Sequence, residues 1–82
     1  MNLPKLPLAE QAVATLTPMR QRRLELRMRL TELAGLTGLD LGLVSRIDTG
    51  QRRPTIPAAL KIARGLGRPV NVLFPDLLNP EI

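Results

Sequence analysis

The chemistry open to this chain lies in its guanidinium groups. Between Arg20 and Arg68 stand Arg20, Arg22, Arg23, Arg27, Arg29, Arg46, Arg52, Arg53, Lys61, Arg64 and Arg68, set against only Glu25, Glu32, Asp40 and Asp48, for a local net charge of +7. Outside that window Lys5 faces Glu10, Asp76 and Glu81, a net of −2. A positive field held in the middle of the chain suits a polyanionic partner, although charge alone carries no specificity. Proton transfer and nucleophilic attack are poorly served. There is no His and no Cys, which removes the commonest general base, the commonest metal ligand, disulfides and thiolate sites together. The acids at 25, 32, 40 and 48 read as surface, capping and ion-pair residues, not as an acid–base pair. No enzyme activity, metal site or cofactor is expected.

These arginines must be positioned by helices, since the apolar spacing is helical throughout. With 82 residues, 44% of them apolar and Phe74 the sole aromatic, the chain has room for one small domain with an aliphatic core. Residues 1–17 are expected to form an N-terminal arm, within which Leu8, Ala12, Val13 and Leu16 can share one face of a short helix. Thr17-Pro18 is a helix start, with Thr as N-cap and Pro in the first turn. A helix should follow over Met19–Arg27, another over Met28–Thr37 with Leu30, Leu33 and Ala34 inward, and a third over Leu41–Thr49. Asp40 is a good N-cap for the third, and Gly50 sits where a left-handed residue ends a helix. Leu43, Val44 and Ile47 fall on one side of it, whereas Leu41, Gly42, Ser45, Arg46 and Thr49 fall on the other.

Gly50-Gln51-Arg52-Arg53-Pro54 has no apolar periodicity and reads as a basic loop. Thr55 should cap a fourth helix to Leu66, with Ile56, Ala59, Leu60, Ala63 and Leu66 as its apolar stripe and Gly67 as its stop. A last helical turn spans Val70–Phe74, Pro75 ends it, and residues 76–82 form a tail. No apolar run approaches the ~18 residues of a membrane span, and the start lacks the charged-then-apolar order of a secretory signal. The default location is the cytoplasm.

The order Leu33-Ala34, Gly38, Val44-Ser45-Arg46-Ile47-Asp48-Thr49-Gly50, Arg52-Arg53-Pro54, Ala59-Leu60-Lys61-Ile62-Ala63-Arg64-Gly65-Leu66-Gly67 and Leu73-Phe74 resembles the Cro and phage-repressor family of helix-turn-helix regulators (the Xre type). The resemblance runs without a gap over about two-thirds of the chain. It implies an all-α, compact five-helix lambda-repressor-like domain over residues 18–75, whose third helix enters the major groove of double-stranded DNA. It also implies a prokaryotic or phage protein working at the nucleoid.

Residue by residue, the resemblance makes Leu41, Gly42, Ser45, Arg46 and Thr49 the groove-facing set, with Arg29, Arg52 and Arg53 at phosphates. Arg46 is the candidate for direct readout, because a guanidinium fork matches O6 and N7 of guanine; the bland alternatives are a phosphate contact or a solvated face. Leu41 can meet a thymine methyl, and Gly42 can let the helix approach closely. Both depart from the polar base-reading residues usual at those positions, and Arg29-Leu30 replaces the usual Thr-Gln pair. Arg23 matches the family position that pairs with the acid closing the third helix, here Asp48. Related repressors dimerise through their C-terminal region, which makes Val70, Val72, Leu73, Leu77 and Leu78 the candidates for an interface, with two recognition helices about 34 Å apart.

The function expected is that of a sequence-specific transcriptional regulator, a repressor that occupies a pseudo-palindromic operator as a homodimer. The rival is a protein-interaction module, such as an antitoxin that binds a toxin, which keeps the fold and has lost base reading. A nonspecific architectural DNA binder is a third reading.

Overall fold

The computed structural model describes residues 16–77. The first helix, α1, spans Pro18–Glu25. Thr17 caps it, its Oγ1 accepting the Arg20 N–H at 3.0 Å, and Pro18 occupies the first turn, where its missing N–H costs nothing. The helix stops two residues before the Arg27 expected from the sequence. Arg27 adopts a left-handed φ of 55°, its N–H donates to Leu24 O, and the Met28 N–H donates to Arg23 O, both at 3.0 Å. That is a Schellman ending built without glycine. Arg23 Nη1 also donates to Met28 O at 2.7 Å, which holds the reversal in place.

Helix α2 spans Leu30–Thr37 and so starts two residues later than the periodicity suggests. Arg29 stands at its N-cap and has no acceptor to offer, so the cap comes from below: Glu32 Oε1 accepts the Arg29 N–H at 2.7 Å. Gly38 ends α2 at φ 73°, a left-handed conformation that glycine adopts without steric cost. The buried Thr37 hydroxyl donates to Leu33 O at 2.9 Å and accepts the Leu39 N–H at 3.3 Å, which ties the turn to the helix it leaves.

Helix α3 spans Leu41–Asp48, with Asp40 Oδ2 accepting the Leu43 N–H at 3.1 Å. It ends one residue before the expected Thr49, in a second Schellman motif: Gly50 N–H donates to Ile47 O at 3.1 Å and Gln51 N–H to Arg46 O at 2.8 Å. Helix α4 spans Ile56–Leu66 and is capped by Thr55. Its buried arc is Ala58, Ala59, Ile62, Ala63 and Leu66. The stripe expected from the sequence is therefore rotated, and Ile56 and Leu60 are 45% and 52% exposed. α4 packs against α1, α2 and α5 together, so three neighbours fix its rotation. Helix α5 is the single turn Val70–Leu73.

The core is aliphatic. Met19, Leu33, Val44, Ile47, Ile62, Leu66 and Leu73 are buried, one or two from each helix, and Phe74 packs only at its edge. Each such side chain is worth roughly 1.5–3 kcal/mol of apolar burial. Leu73 was a candidate for the dimer surface; it is 2% exposed and belongs to the core instead. A one-turn helix has room for one inward row, and Leu73 fills it together with the half-buried Val70, which leaves Val72 outward at 49%. Leu77 is half-buried. Leu78, together with Leu8, Ala12 and Val13 of the N-terminal stripe, lies outside the described residues. No helix among the described residues is long and apolar enough to cross a membrane.

Candidate nucleic-acid interface

The inner face of α3 is fixed at both ends. Val44 and Ile47 are buried in the core, and Asp48 is 1% exposed. Asp48 lies in the last turn, where the helix dipole disfavours a carboxylate, and it is compensated by cations from α1. Arg23 Nε donates to Oδ1 at 2.9 Å and Nη2 to Oδ2 at 3.1 Å, a bidentate fork between buried groups. Arg20 Nε stands 3.8 Å from Oδ2 and makes no hydrogen bond. The Asp48 carbonyl accepts from Thr17 Oγ1 at 2.7 Å. Thr17 therefore both caps α1 and ties it to the end of α3, so α1 and α3 hold each other through side chains.

The outer face of α3 carries Leu41, Arg46 and Thr49 exposed and Gly42 and Ser45 half-buried. The Thr49 hydroxyl is turned inward onto Ser45 O and Arg46 O, both at 3.2 Å, and keeps only its acceptor capacity outward. Among the described residues the Arg46 and Arg52 guanidiniums have no hydrogen bond and no ion pair. The loop brings Arg52 beside Arg46, since the Arg52 N–H donates to Arg46 O at 3.2 Å. An exposed row with free arginines at its end can donate to acceptors on a flat or grooved anionic surface.

Not every residue named from the sequence joins this row. Arg29 is exposed at the start of α2, on a separate element. Arg53 is occupied: its Nη2 donates to Asp76 O at 2.7 Å and to Leu77 O at 3.4 Å, which pins the C-terminal turn to the basic loop. Two structural roles have no signal in the local sequence. The Thr17 tether has no local signal, because its partner lies 31 residues away. Arg22 caps the end of α4, Nε donating to Leu66 O at 2.9 Å, although in the sequence it is one of a run of arginines on a polar face.

A family model described as Helix-turn-helix matches residues 19–73 of the chain, from the first core residue of α1 to the last of α5. No curated protein and no solved structure matches.

Proposed function

The chain belongs to the helix-turn-helix family of the Cro and phage-repressor (Xre) type, and from that premise we propose that it is a sequence-specific regulator of transcription. The family is a DNA-binding, regulatory one; the finer reading is our own. A homodimer occupies a pseudo-palindromic operator through α3 and represses by excluding polymerase. Arg46 reads a base edge, Leu41, Gly42, Ser45 and Thr49 shape the contact around it, and Arg29 and Arg52 meet phosphates, while Arg53 holds the C-terminal turn.

One observation carries the reading. α3 is anchored on its inner face by the buried Arg23–Asp48 pair, while the exposed Arg46 on its outer face has no partner within the described residues. A rigidly held helix with an uncommitted guanidinium is what major-groove recognition requires. The competing reading, a partner-binding module of the antitoxin kind, is favoured by Leu41, an apolar side chain 45% exposed at the front of the same helix.

Selection from a random duplex pool at about 150 mM salt tests the proposal. The expected result is an enriched two-fold-symmetric site, relaxed at one base pair in each half by Arg46→Ala. Recovery of no motif, with or without salt-sensitive binding, overturns specific regulation; salt-sensitive binding without sequence preference identifies an architectural binder, and absence of binding identifies the interaction module.

A further inference from the structure

A Cβ built on Gly42 would lie 3.0 Å from Asp40 Oδ2, 3.6 Å from Arg46 Nη1 and 4.0 Å from Arg46 Nη2. The guanidinium of Arg46 is therefore folded back one helical turn, towards the start of α3, and lies over the bare backbone of Gly42. That is the direction in which side chains on a helix lean. It is not the place a cation would choose for the helix dipole, whose positive end is there. Asp40 Oδ2 lies close to the same spot, 3.0 Å from the built Cβ, and caps Leu43 at 3.1 Å, without an ion pair to Arg46. The missing side chain at 42 thus leaves a shallow seat, with a carboxylate on one edge and the Arg46 fork across it.

We propose that Gly42 is a specificity-determining residue through its lack of a long side chain: it seats the Arg46 guanidinium across the front of the recognition helix, so that the fork meets a guanine that a longer side chain at 42 would otherwise face. The inference rests on the DNA-reading function proposed above. It gives a role to one departure from the family pattern, Gly42. Residue 42 contributes no contact of its own, and Arg46 covers its place as well as its own. Gly42 is a positioning residue; Arg46 is the group that touches the base.

The test uses the full chain and duplexes carrying the site that the wild type selects, with the three single-base changes at the pair that Arg46→Ala relaxes, read by fluorescence anisotropy. Gly42→Gln fills the seat with a good helix former, whose Cβ, 3.0 Å from Asp40 Oδ2, requires the capping carboxylate to shift slightly. It is expected to lose discrimination at that pair about as fully as Arg46→Ala, roughly 5- to 150-fold, with thermal stability not lowered and affinity for random duplex retained. Gly42→Ala, whose methyl would stand in ordinary contact with the guanidinium at 3.6 Å, should discriminate much as the wild type does. Arg46→Lys keeps the charge without the fork and should fail to discriminate. Full guanine discrimination in Gly42→Gln, or wild-type discrimination in Arg46→Lys, overturns the inference and leaves the proposed function standing. Selection of no site by the wild type overturns both.

Discussion

The two faces of α3 obey different rules. On the inner face every polar group is committed: Asp48 takes two hydrogen bonds from Arg23, its carbonyl takes one from Thr17, and Val44 and Ile47 are closed in the core. On the outer face the largest polar group, Arg46, lies over a glycine with no hydrogen bond to anything within the described residues. Eight residues of one helix thus divide into a set whose identities are dictated by the rest of the molecule and a set that the fold leaves undetermined. Side chains that the fold does not dictate are the ones that a partner can. The same contrast separates the arginines. Those of α1 at 22 and 23 are spent on Leu66 O and Asp48, so fewer guanidiniums are free to donate to DNA than the sequence offers.

If the inner face is structural, breaking it should be the most damaging change. Asp48→Ala leaves the buried Arg23 guanidinium without its carboxylate, with Arg20 close by. A loss of about 3–5 kcal/mol is expected, a large share of what a domain of this size possesses; urea unfolding measures it. Replacing both partners, as Arg23→Leu with Asp48→Leu, should cost far less than the single change. A single-mutant loss below about 1 kcal/mol would mean that the pair does not anchor α3 at all.

The outer face should respond in the opposite sense. Arg46→Ala is expected to change unfolding stability by no more than about 0.5 kcal/mol while weakening binding to the selected site by about 1–3 kcal/mol. A large fall in stability would place Arg46 in the structural set and undo the division. Thr17→Val is intermediate in size and falls on the inner side of the comparison. It removes the α1 cap and the tether to Asp48 O together, and should cost about 1–2 kcal/mol in unfolding, with Thr17→Ser restoring most of it.

Much of this division was legible in the sequence, and the reasons for the failures are physical. Local capping chemistry placed Thr17-Pro18, Asp40 and Thr55 correctly at helix starts, because a cap is satisfied within three residues. The 3.6-residue period separated Val44 and Ile47 from Leu41 and Arg46 for the same reason. The end of α1 was misjudged because a left-handed arginine gives no sequence signal where glycine would. The stripe of α4 was misjudged because Ile56 and Leu60 are apolar and at helical spacing, yet the packing of α1, α2 and α5 selects Ala58 and Ile62 instead. The pairing of Arg23 with Asp48 came from family resemblance, not from spacing. Apart from that resemblance, local spacing does not distinguish Arg20, Arg22 and Arg23; the positions of their distant acceptors do. The seat over Gly42 was invisible as such, since it is formed by where Arg46 and Asp40 point.

The smallest effect, and the finest test of the comparison, concerns two neighbouring arginines. Arg52 is free within the described residues, whereas Arg53 donates to the carbonyls of Asp76 and Leu77 at 2.7 and 3.4 Å. A phosphate contact by Arg53 must therefore displace hydrogen bonds it already has, and one by Arg52 need not. Each phosphate neutralised contributes about 0.9 to the slope of log K against log salt. Arg52→Ala should lower that slope by close to this amount and leave stability unchanged. Arg53→Ala should leave the slope nearly intact and instead loosen the C-terminal turn, at about 0.5–1 kcal/mol for an exposed hydrogen bond. Equal slopes lost by the two variants would mean that Arg53 lets go of the turn on binding, and that DNA competes with the C-terminal turn for the same guanidinium.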